Sequence, residues 1–234
     1  MPMPHFRQTL VKHLSRIWSL FSGPRILYGW RNGAEAGAGM AGVHRVNTRY
    51  STHSSFENPE RLALGDHVFI GHFNRIDASC GLCIEDGVQL TNYISVLSHS
   101  SHRSVRIMGS TYTHHLQPLA YVRKATRIGA YSFIGPHSVI APGANIGKGV
   151  IVQAYSFVTG DVPDFAVVAS PALGQAAKVV GDTRQLDGKW LHQYPQTHAS
   201  YAAWAGQAAL EQALAQGHAE MPEAARPTPT PDPS

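Results

Sequence analysis

The stretch IGAYSFIGPHSVIAPGANIGKGVIVQAYSFVTGDVP, residues 128–163, returns to Ile or Val at every sixth position. An amphipathic helix repeats its apolar stripe about every 3.6 residues, and a half-buried strand alternates every two. The positions between the aliphatic residues are mostly Gly, Ser, Ala, Pro and Asn, so neither pattern fits alone. The aliphatic residues of this stretch are Ile128, Ile134, Ile140, Ile146, Val152 and Val158.

The same spacing occurs earlier in the chain. The upstream residues in this register are Leu64, Ile70, Ile76, Leu82, Val88 and Ile94. A six-residue repeat is typical of a parallel β-helix, in which short strands joined by tight corners wind into a triangular coil. Each aliphatic side chain then points inward and stacks on its equivalent one coil away. The two runs predict an all-β solenoid of about four or five coils.

The pattern divides the chain into four parts. Residues 1–59 are predicted to hold an N-terminal amphipathic helix and a linker, and residues 60–182 the β-helix. A segment at 100–121 breaks the six-residue register and predicts one extruded loop, since long loops in compact folds are usually functional. Residues 183–220 are predicted to be a helical extension, with one helix over 197–217 ended by a glycine. The Pro-rich tail at 221–234 is expected to be disordered.

The N-terminal segment TLVKHLSRIWSLFS, residues 9–22, has apolar residues at helical spacing opposite Lys12, His13 and Arg16. One interpretation is a helix packed on the domain or on a trimer partner. The other is an interfacial helix that makes peripheral contact with the inner face of a membrane. No apolar run reaches the length of a spanning helix, and the basic residues interrupt any signal-peptide core.

Charge and cysteine content narrow the functional class. The net charge is +4 and the pI is about 9.2, which favours an anionic small ligand or an acidic membrane surface. No Lys/Arg run is interleaved with aromatic residues, so we expect no nucleic-acid partner. Cys80 and Cys83 form a lone C-x-x-C without further ligands at suitable spacing, so we expect no metal and no disulfide framework. A cytoplasmic protein fits best.

The second run of hexads and the residues after it are similar to the closing run of the hexapeptide-repeat acyltransferases. The similar segment is IGAYSFIGPHSVIAPGANIGKGVIVQAYSFVTGDVPDFAVVASPA. Within that family the chain most resembles bacterial sugar and cell-surface-polysaccharide O-acetyltransferases, over roughly residues 57–182. The resemblance implies a left-handed parallel β-helix, acetyl-CoA as cosubstrate, and a homotrimer with active-site clefts between subunits. It also implies a carbohydrate or sugar-lipid acceptor.

The resemblance also assigns roles to individual residues. A histidine at the base of the extruded loop acts as general base in this family, and the matching position is His99 in ISVLSHSSH, with His102 as its rival. Asn74 and His72 are predicted to bind the acceptor. A sugar hydroxyl is a poor nucleophile, so acyl transfer needs a base with a pKa near seven independently of the resemblance.

Five residues are predicted to contact the cofactor. They are Phe133, Gly135, Ala154, Thr159 and Lys178. Phe133 stands where many relatives carry Trp, whereas Ala154 and Thr159 match positions that line the pantetheine channel. The sequence departs from the family at Gly160, where a Lys is usual, and in about five extra residues before Lys178.

Three alternatives to an O-acetyltransferase stay open at this point. The nearest is acetylation of an amino sugar at nitrogen. Another is a zinc enzyme like the gamma-class carbonic anhydrases, which share the β-helix, with His67 and His72 as two of three ligands. The last is a non-catalytic scaffold built on the same solenoid, against which the long histidine-containing loop argues.

Overall fold

The computed structural model describes residues 26–28 and 45–217, and the predicted helix at 9–22 and tail at 221–234 lie outside them. The strands are, in chain order, β1 (Ile26–Tyr28), β2 (Arg49–Ser51), β3 (Ser55–Glu57), β4 (Leu62–Leu64), β5 (Phe69–Ile70), β6 (Arg75–Asp77), β7 (Leu82–Ile84), β8 (Gln89–Leu90), β9 (Ser95–Val96), β10 (His99–Ser100), β11 (Val122–Arg123), β12 (Thr126–Ile128), β13 (Phe133–Ile134), β14 (Val139–Ile140), β15 (Asn145–Ile146), β16 (Ile151–Val152), β17 (Phe157–Val158), β18 (Asp161–Val162), β19 (Ala166–Ala169) and β20 (Lys178–Asp182). The α-helices are α1 (Ser104–Met108), α2 (Thr183–Gln193), α3 (His198–Ala205) and α4 (Gln207–Gly217), and 3-10 turns occupy Pro59–Arg61, Gly109–His114 and Pro195–Thr197.

Three parallel sheets form the three faces of a coil. Face 1 contains β2, β5, β8, β13, β16 and β19, with β1 and β20 added antiparallel at its two edges. Face 2 contains β3, β6, β9, β14 and β17, and face 3 contains β4, β7, β12, β15 and β18. The chain visits faces 1, 2 and 3 in turn and then returns to face 1. This confirms the predicted parallel β architecture, whereas the hand of the coil stays a prediction.

The twelve aliphatic residues of the sequence pattern all lie in the core. Each is at most 3% exposed, and most are completely buried. On the strands the inward residue stacks on the inward residue of the next strand, as Ile128 does on Ile146 and Ile134 on Val152. Burial of such side chains contributes about 1.5–3 kcal/mol each, so the stack is the main stabilising feature of the domain.

Two of the three corners have constant length and the third does not. Successive inward residues on faces 1 and 2, such as Ile70 and Ile76, are always six positions apart, and the same holds from face 3 to face 1. From face 2 to face 3 the step is eight from Ile76 to Ile84 but six from Ile140 to Ile146. It is 32 positions from Val96 to Ile128, where the loop is inserted, and four between the inward valines of β17 and β18.

This variable corner corrects the predicted phase of the upstream repeat. Leu64 pairs with Ile84 rather than with Leu82, and Ile70 pairs with Leu90 rather than with Val88. Likewise Ile76 pairs with Val96 and not with Ile94. Leu82, Val88 and Ile94 are still buried. Val88 and Ile94 fill corners of the coil, and Leu82 is a second inward residue of β7 beside Ile84. The first coils therefore contain about twenty residues rather than eighteen.

The coil begins earlier than residue 60, the predicted boundary. Residues 49–51 and 55–57 already form parallel strands of faces 1 and 2, on β5 and β6. The inward positions of these strands are Tyr50 and Phe56, which are partly buried against the core and contact each other edge to face at 5.9 Å. Because both are aromatic, a pattern of aliphatic residues does not detect them.

A ladder of stacked rings runs along the corner between faces 1 and 2. Phe73, Tyr93, His137 and Tyr155 stack in sequence, with ring centroids 4.8–5.1 Å apart. All four have a left-handed backbone with φ of 59–60°. This conformation costs about 1–2 kcal/mol for a residue other than glycine, and the ring contacts offset part of that cost.

The C-terminal extension is a small helical layer with its own core. Phe165 at the end of the last corner packs with Leu191, Tyr201 and Leu210 from the helices. The single helix expected over 197–217 is wrong, because Gly206 has a φ of 98° and separates α3 from α4. Among residues 26–28 and 45–217, no helix is long and apolar enough to cross a membrane.

Replacing Ile140 by Ala is expected to lower the free energy of unfolding by about 2–5 kcal/mol, because it opens a cavity in the fully buried stack. Its neighbour on β14, Val139, is only half-buried, so Val139→Ala serves as the control with a smaller loss. Urea unfolding followed by circular dichroism measures both. Equal losses would contradict the inward stacking of Ile140.

Candidate active site

The irregular segment of the chain leaves and re-enters the coil at the corner between faces 2 and 3. Its two ends form a short antiparallel pair, β10 with β11, in which His99 lies opposite Arg123. Between them the segment folds into α1 and the 3-10 turn Gly109–His114. His99 is therefore the first residue of the loop stem, at the position that the sequence predicts for the general base.

His99 lies against a buried carboxylate of the preceding coil. Its Nδ1 is 2.7 Å from Oδ2 of Asp77, the last residue of β6. Asp77 is completely buried, whereas the side chain of His99 is 23% exposed. The ring N–H is not directed in line at the carboxylate, so this is a close polar contact rather than an aligned hydrogen bond.

The carboxylate of Asp77 is held by several donors. The backbone N–H of Ser79 donates to Oδ1 at 2.8 Å, and the backbone N–H and hydroxyl of Ser98 donate to Oδ2 at 3.0 and 3.2 Å. Burial alone would raise the pKa of Asp77, but the hydrogen bonds from Ser79 and Ser98 and the neighbouring His99 together lower it to about 2. Asp77 is therefore ionised at neutral pH.

An ionised carboxylate only accepts hydrogen bonds, so the imidazole nitrogen facing it must carry the hydrogen. That leaves Nε2 of His99 as the basic nitrogen, and no described residue hydrogen-bonds to it. Tyr121 stacks on the His99 ring at 5.8 Å with an angle of 9° between the planes. The ring is thus fixed by a carboxylate at one edge and an aromatic face beside it.

His99 lines an open cleft. The cleft has a volume of about 770 Å³, within the usual range for small-ligand sites. It is lined by Glu57, Arg61, Ser79, Cys80, Gly81, His99, Tyr121 and Arg123. These residues come from the corner between faces 2 and 3 in three successive coils and from the loop stem.

The structure separates the predicted base from its rival. His102 is exposed on the loop, and its Nδ1 contacts the hydroxyl of Ser100 at 2.8 Å. It contacts no carboxylate among the described residues and does not line the cleft. Of the two histidines, only His99 combines an oriented ring with an open nitrogen.

The predicted acceptor residues lie at another corner, between faces 1 and 2. Asn74 is 2% exposed, and its side chain is used in the coil: Nδ2 donates to the carbonyls of Gly71 and Thr91, and Oδ1 accepts from Ile94. Within one chain the Asn74 side chain thus supports its corner and does not line the cleft of His99, and its contact with the acceptor stays a prediction. His72 is half-buried, with Nδ1 2.7 Å from the hydroxyl of Ser51.

The predicted cofactor residues do not form one channel within a single chain. Phe133 lies on face 1 and Lys178 on the edge strand β20. Gly135 and exposed Ala154 lie at the corner between faces 1 and 2, where an added Cβ on Gly135 would be 2.6 Å from the Ala154 nitrogen. Only Thr159 shares the corner of His99, two coils further along.

Asp77 is the functional residue that the sequence pattern does not identify. Asp77 lies 22 positions before His99. The sequence signal that could have identified it is a carboxylate directly after an inward Ile. Recognising the pair requires the true coil length of the upstream repeats. Among residues 26–28 and 45–217, no group of three or more His, Cys, Asp or Glu side chains is arranged to hold a metal.

Comparison with known proteins identifies the repeat. Residues 125–160 match the family described as bacterial transferase hexapeptide (six repeats). The match confirms the resemblance that the period of six indicates, and it covers the coils in which that period is strict.

One curated relative and two solved structures illustrate the similarity. The chain is 29% identical over 125 residues to a probable acetyltransferase of Mycobacterium tuberculosis, which covers 53% of this chain and 38% of that protein. A hexapeptide-repeat-containing acetyltransferase of Vibrio cholerae, in complex with acetyl-CoA, is 20% identical over 58% of this chain and 71% of that one, with a TM-score of 0.44. A maltose O-acetyltransferase of Clostridium difficile is 19% identical over 59% and 66%, with a TM-score of 0.48. The chain thus spans less than half the length of the curated relative.

The low pKa of Asp77 predicts a dependence of stability on pH. A carboxylate with a folded-state pKa of about 2, below the usual 3.8, contributes stability above pH 4, and the contribution is lost as the pH falls toward 2. The gap in free energy of unfolding between the wild type and Asp77→Asn should therefore shrink from pH 5 to pH 3. Urea midpoints at these pH values measure it, with the exposed Asp161→Asn as control. A gap that is constant with pH would contradict an ionised, stabilising Asp77.

Proposed function

We propose that this chain is an acetyl-CoA-dependent O-acetyltransferase that acts on a hydroxyl of a sugar or a cell-surface polysaccharide precursor. The observation that carries the proposal is the imidazole of His99, which contacts buried Asp77 through Nδ1 and lines a cleft of about 770 Å³. The family match and the similarity to acetyltransferases support the same reaction.

The chain's own residues supply the proton transfers of such a reaction. Nε2 of His99 accepts the proton of the acceptor hydroxyl as that oxygen attacks the thioester carbonyl. Asp77 stabilises the resulting imidazolium through Nδ1, as carboxylates do in other His-dependent acyl transfers. Nε2 then gives the proton to the departing sulfur, so the histidine returns to its neutral form.

Acetyl-CoA, when bound, supplies the acetyl thioester and the thiol that leaves. The later coils carry Ala141 and Thr159 at the corner of His99, and such small residues suit a narrow chain such as pantetheine. Thr159 is exposed, and an added Cβ on Gly160 would meet nothing within 4 Å. Thr159 and Gly160 would therefore hold the arm beside the cleft.

The other predicted contacts suggest a trimer with sites between subunits. His72, Gly135 and Ala154 share the corner between faces 1 and 2, whereas His99 and Thr159 share the corner between faces 2 and 3. Because these are different edges of one coil, residues of the first set can approach His99 only from another copy of the chain. In a closed homotrimer, the corner between faces 1 and 2 of each subunit contacts the corner between faces 2 and 3 of the next subunit, which gives three such sites. The same assembly is expected to be built on a left-handed coil.

We place the reaction in the cytoplasm, because Cys80 and Cys83 are both free thiols. Peripheral membrane contact through residues 9–22 stays a prediction.

His99→Ala is expected to lower kcat about 10²–10⁴-fold, the usual contribution of a general base, and to leave acetyl-CoA affinity nearly unchanged. His102→Ala, a histidine three positions away on the exposed loop, should cost far less. Thiol release from acetyl-CoA, measured over a panel of neutral, amino and acidic sugars, checks both variants, and turnover on the neutral sugars, which have no nitrogen, identifies an oxygen acceptor. Full turnover in His99→Ala would refute the base assignment.

A subunit-mixing experiment tests the proposed site between copies. Ala154→Trp should block the corner between faces 1 and 2 and inactivate the enzyme, because Ala154 is exposed there and Trp adds a large ring. Co-assembled with His99→Ala chains, it should restore activity at roughly a quarter of the sites by random assortment. If all contacts lie within one chain, the mixture stays inactive.

A further inference from the structure

Two arginines in the His99 cleft lack a carboxylate partner. Arg61 follows face 2 at the end of a 3-10 turn, and Arg123 lies on β11 opposite His99. Among the described residues neither forms an ion pair, and the carboxylates nearby are already engaged. Glu57 binds Arg75 at 2.6 Å, and Asp77 faces His99. The cleft therefore carries two uncompensated positive charges.

Both guanidinium groups are held in place by neutral contacts. Arg61 donates through one terminal nitrogen to the carbonyl of Ser79. Arg123 donates to the carbonyl of Leu116 at 2.9 Å, and its Cζ lies 4.8 Å from the centre of the Tyr121 ring. A guanidinium has five N–H donors, so each arginine keeps donors for a ligand. Fixing the groups in advance reduces the entropy lost when a ligand binds.

Tyr121 connects one arginine to the base. One side of its ring contacts His99 and the guanidinium of Arg123 packs on the ring as well, so all three groups are positioned together. An oxyanion bound by Arg123 therefore lies in the same cleft as the basic Nε2. Arginine matches the planar pair of oxygens of a carboxylate or phosphate, which it binds with two parallel hydrogen bonds.

We infer that the acceptor is an anionic sugar, whose phosphate or carboxylate is bound by Arg61 and Arg123 while one of its hydroxyls lies at His99. This inference rests on the proposed function in taking the bound sugar to be the acetyl acceptor. The phosphates of CoA are the other source of an oxyanion. They are separated from the reacting sulfur by the whole pantetheine arm, whereas both arginines line the same cleft as the base.

The test compares glucose 1-phosphate, which carries a phosphate at C1, glucuronate, which carries a carboxylate at C6, and methyl glucoside, which is uncharged. Calorimetric titration of the full-length protein at low ionic strength should show one or both acidic sugars binding at least about tenfold more tightly than the methyl glucoside. The preferred sugar distinguishes phosphate from carboxylate. Arg61→Gln and Arg123→Gln should each remove most of that preference, and Arg123→Lys should restore it only in part because the planar fork is lost.

Arg106→Gln is the matched control, because Arg106 is exposed on α1 of the same loop and does not line the cleft. It should bind all three sugars as the wild type does. Equal binding of charged and uncharged sugars would overturn the inference. So would arginine variants that weaken acetyl-CoA binding and leave the acidic sugars unaffected, because the oxyanion would then belong to the cofactor.

Turnover separates this inference from the proposed function. Arginine-dependent binding of an acidic sugar without acetyl transfer to any acceptor would contradict the transferase and keep the oxyanion site. Transfer to neutral sugars with unchanged kcat/KM in both arginine variants would keep the transferase and overturn the anionic acceptor.

Discussion

The whole domain depends on one constraint: every coil must return its inward residues to the same stack. Two corners satisfy it with a constant step of six residues, which leaves no freedom for insertions there. The corner between faces 2 and 3 takes up all the variation, with steps of eight, 32, six and four positions. The proposed site lies at that corner, where the chain adds residues without disturbing the aliphatic stack.

The sequence is informative where the constraint is strict. In residues 128–163 every step between successive inward residues is six positions except the last, from Val158 to Val162, which is four. The period of the aliphatic residues therefore predicts the parallel coil directly. Upstream, the wider corner shifts the phase by two at each coil, and Leu82 is taken for the equivalent of Leu64 when the true equivalent is Ile84. Burial does not reveal this error in register, because Leu82 and Ile84 are both buried and the core accepts aliphatic side chains at more than one position of a coil.

The same shift explains why His99 can be predicted and Asp77 cannot. His99 is found from its place before the loop, which is a feature of chain order. Its partnership with Asp77 is a feature of stacking, and an eighteen-residue coil would place Ser95 above Asp77, whereas β6 and β9 pair Arg75 with Ser95. A two-residue error in register is enough to hide the contact, because each residue contacts only the residues directly above and below it in the neighbouring coils.

The wide corner also makes the buried carboxylate tolerable. Moving a carboxylate out of water costs several kcal/mol, and hydrogen-bond donors and nearby positive charge must offset that cost. The step of eight gives the chain room to turn the N–H of Ser79 back onto Asp77, and the next coil brings Ser98 and His99 to the other oxygen. Later coils turn this corner in six or four positions and carry Ala141 and Thr159, which have no carboxylate, at the equivalent place. The long steps therefore bring Asp77 and His99 together, and the short steps leave small residues at the corner, which suits the proposed proton acceptor at one end and the proposed thioester arm at the other.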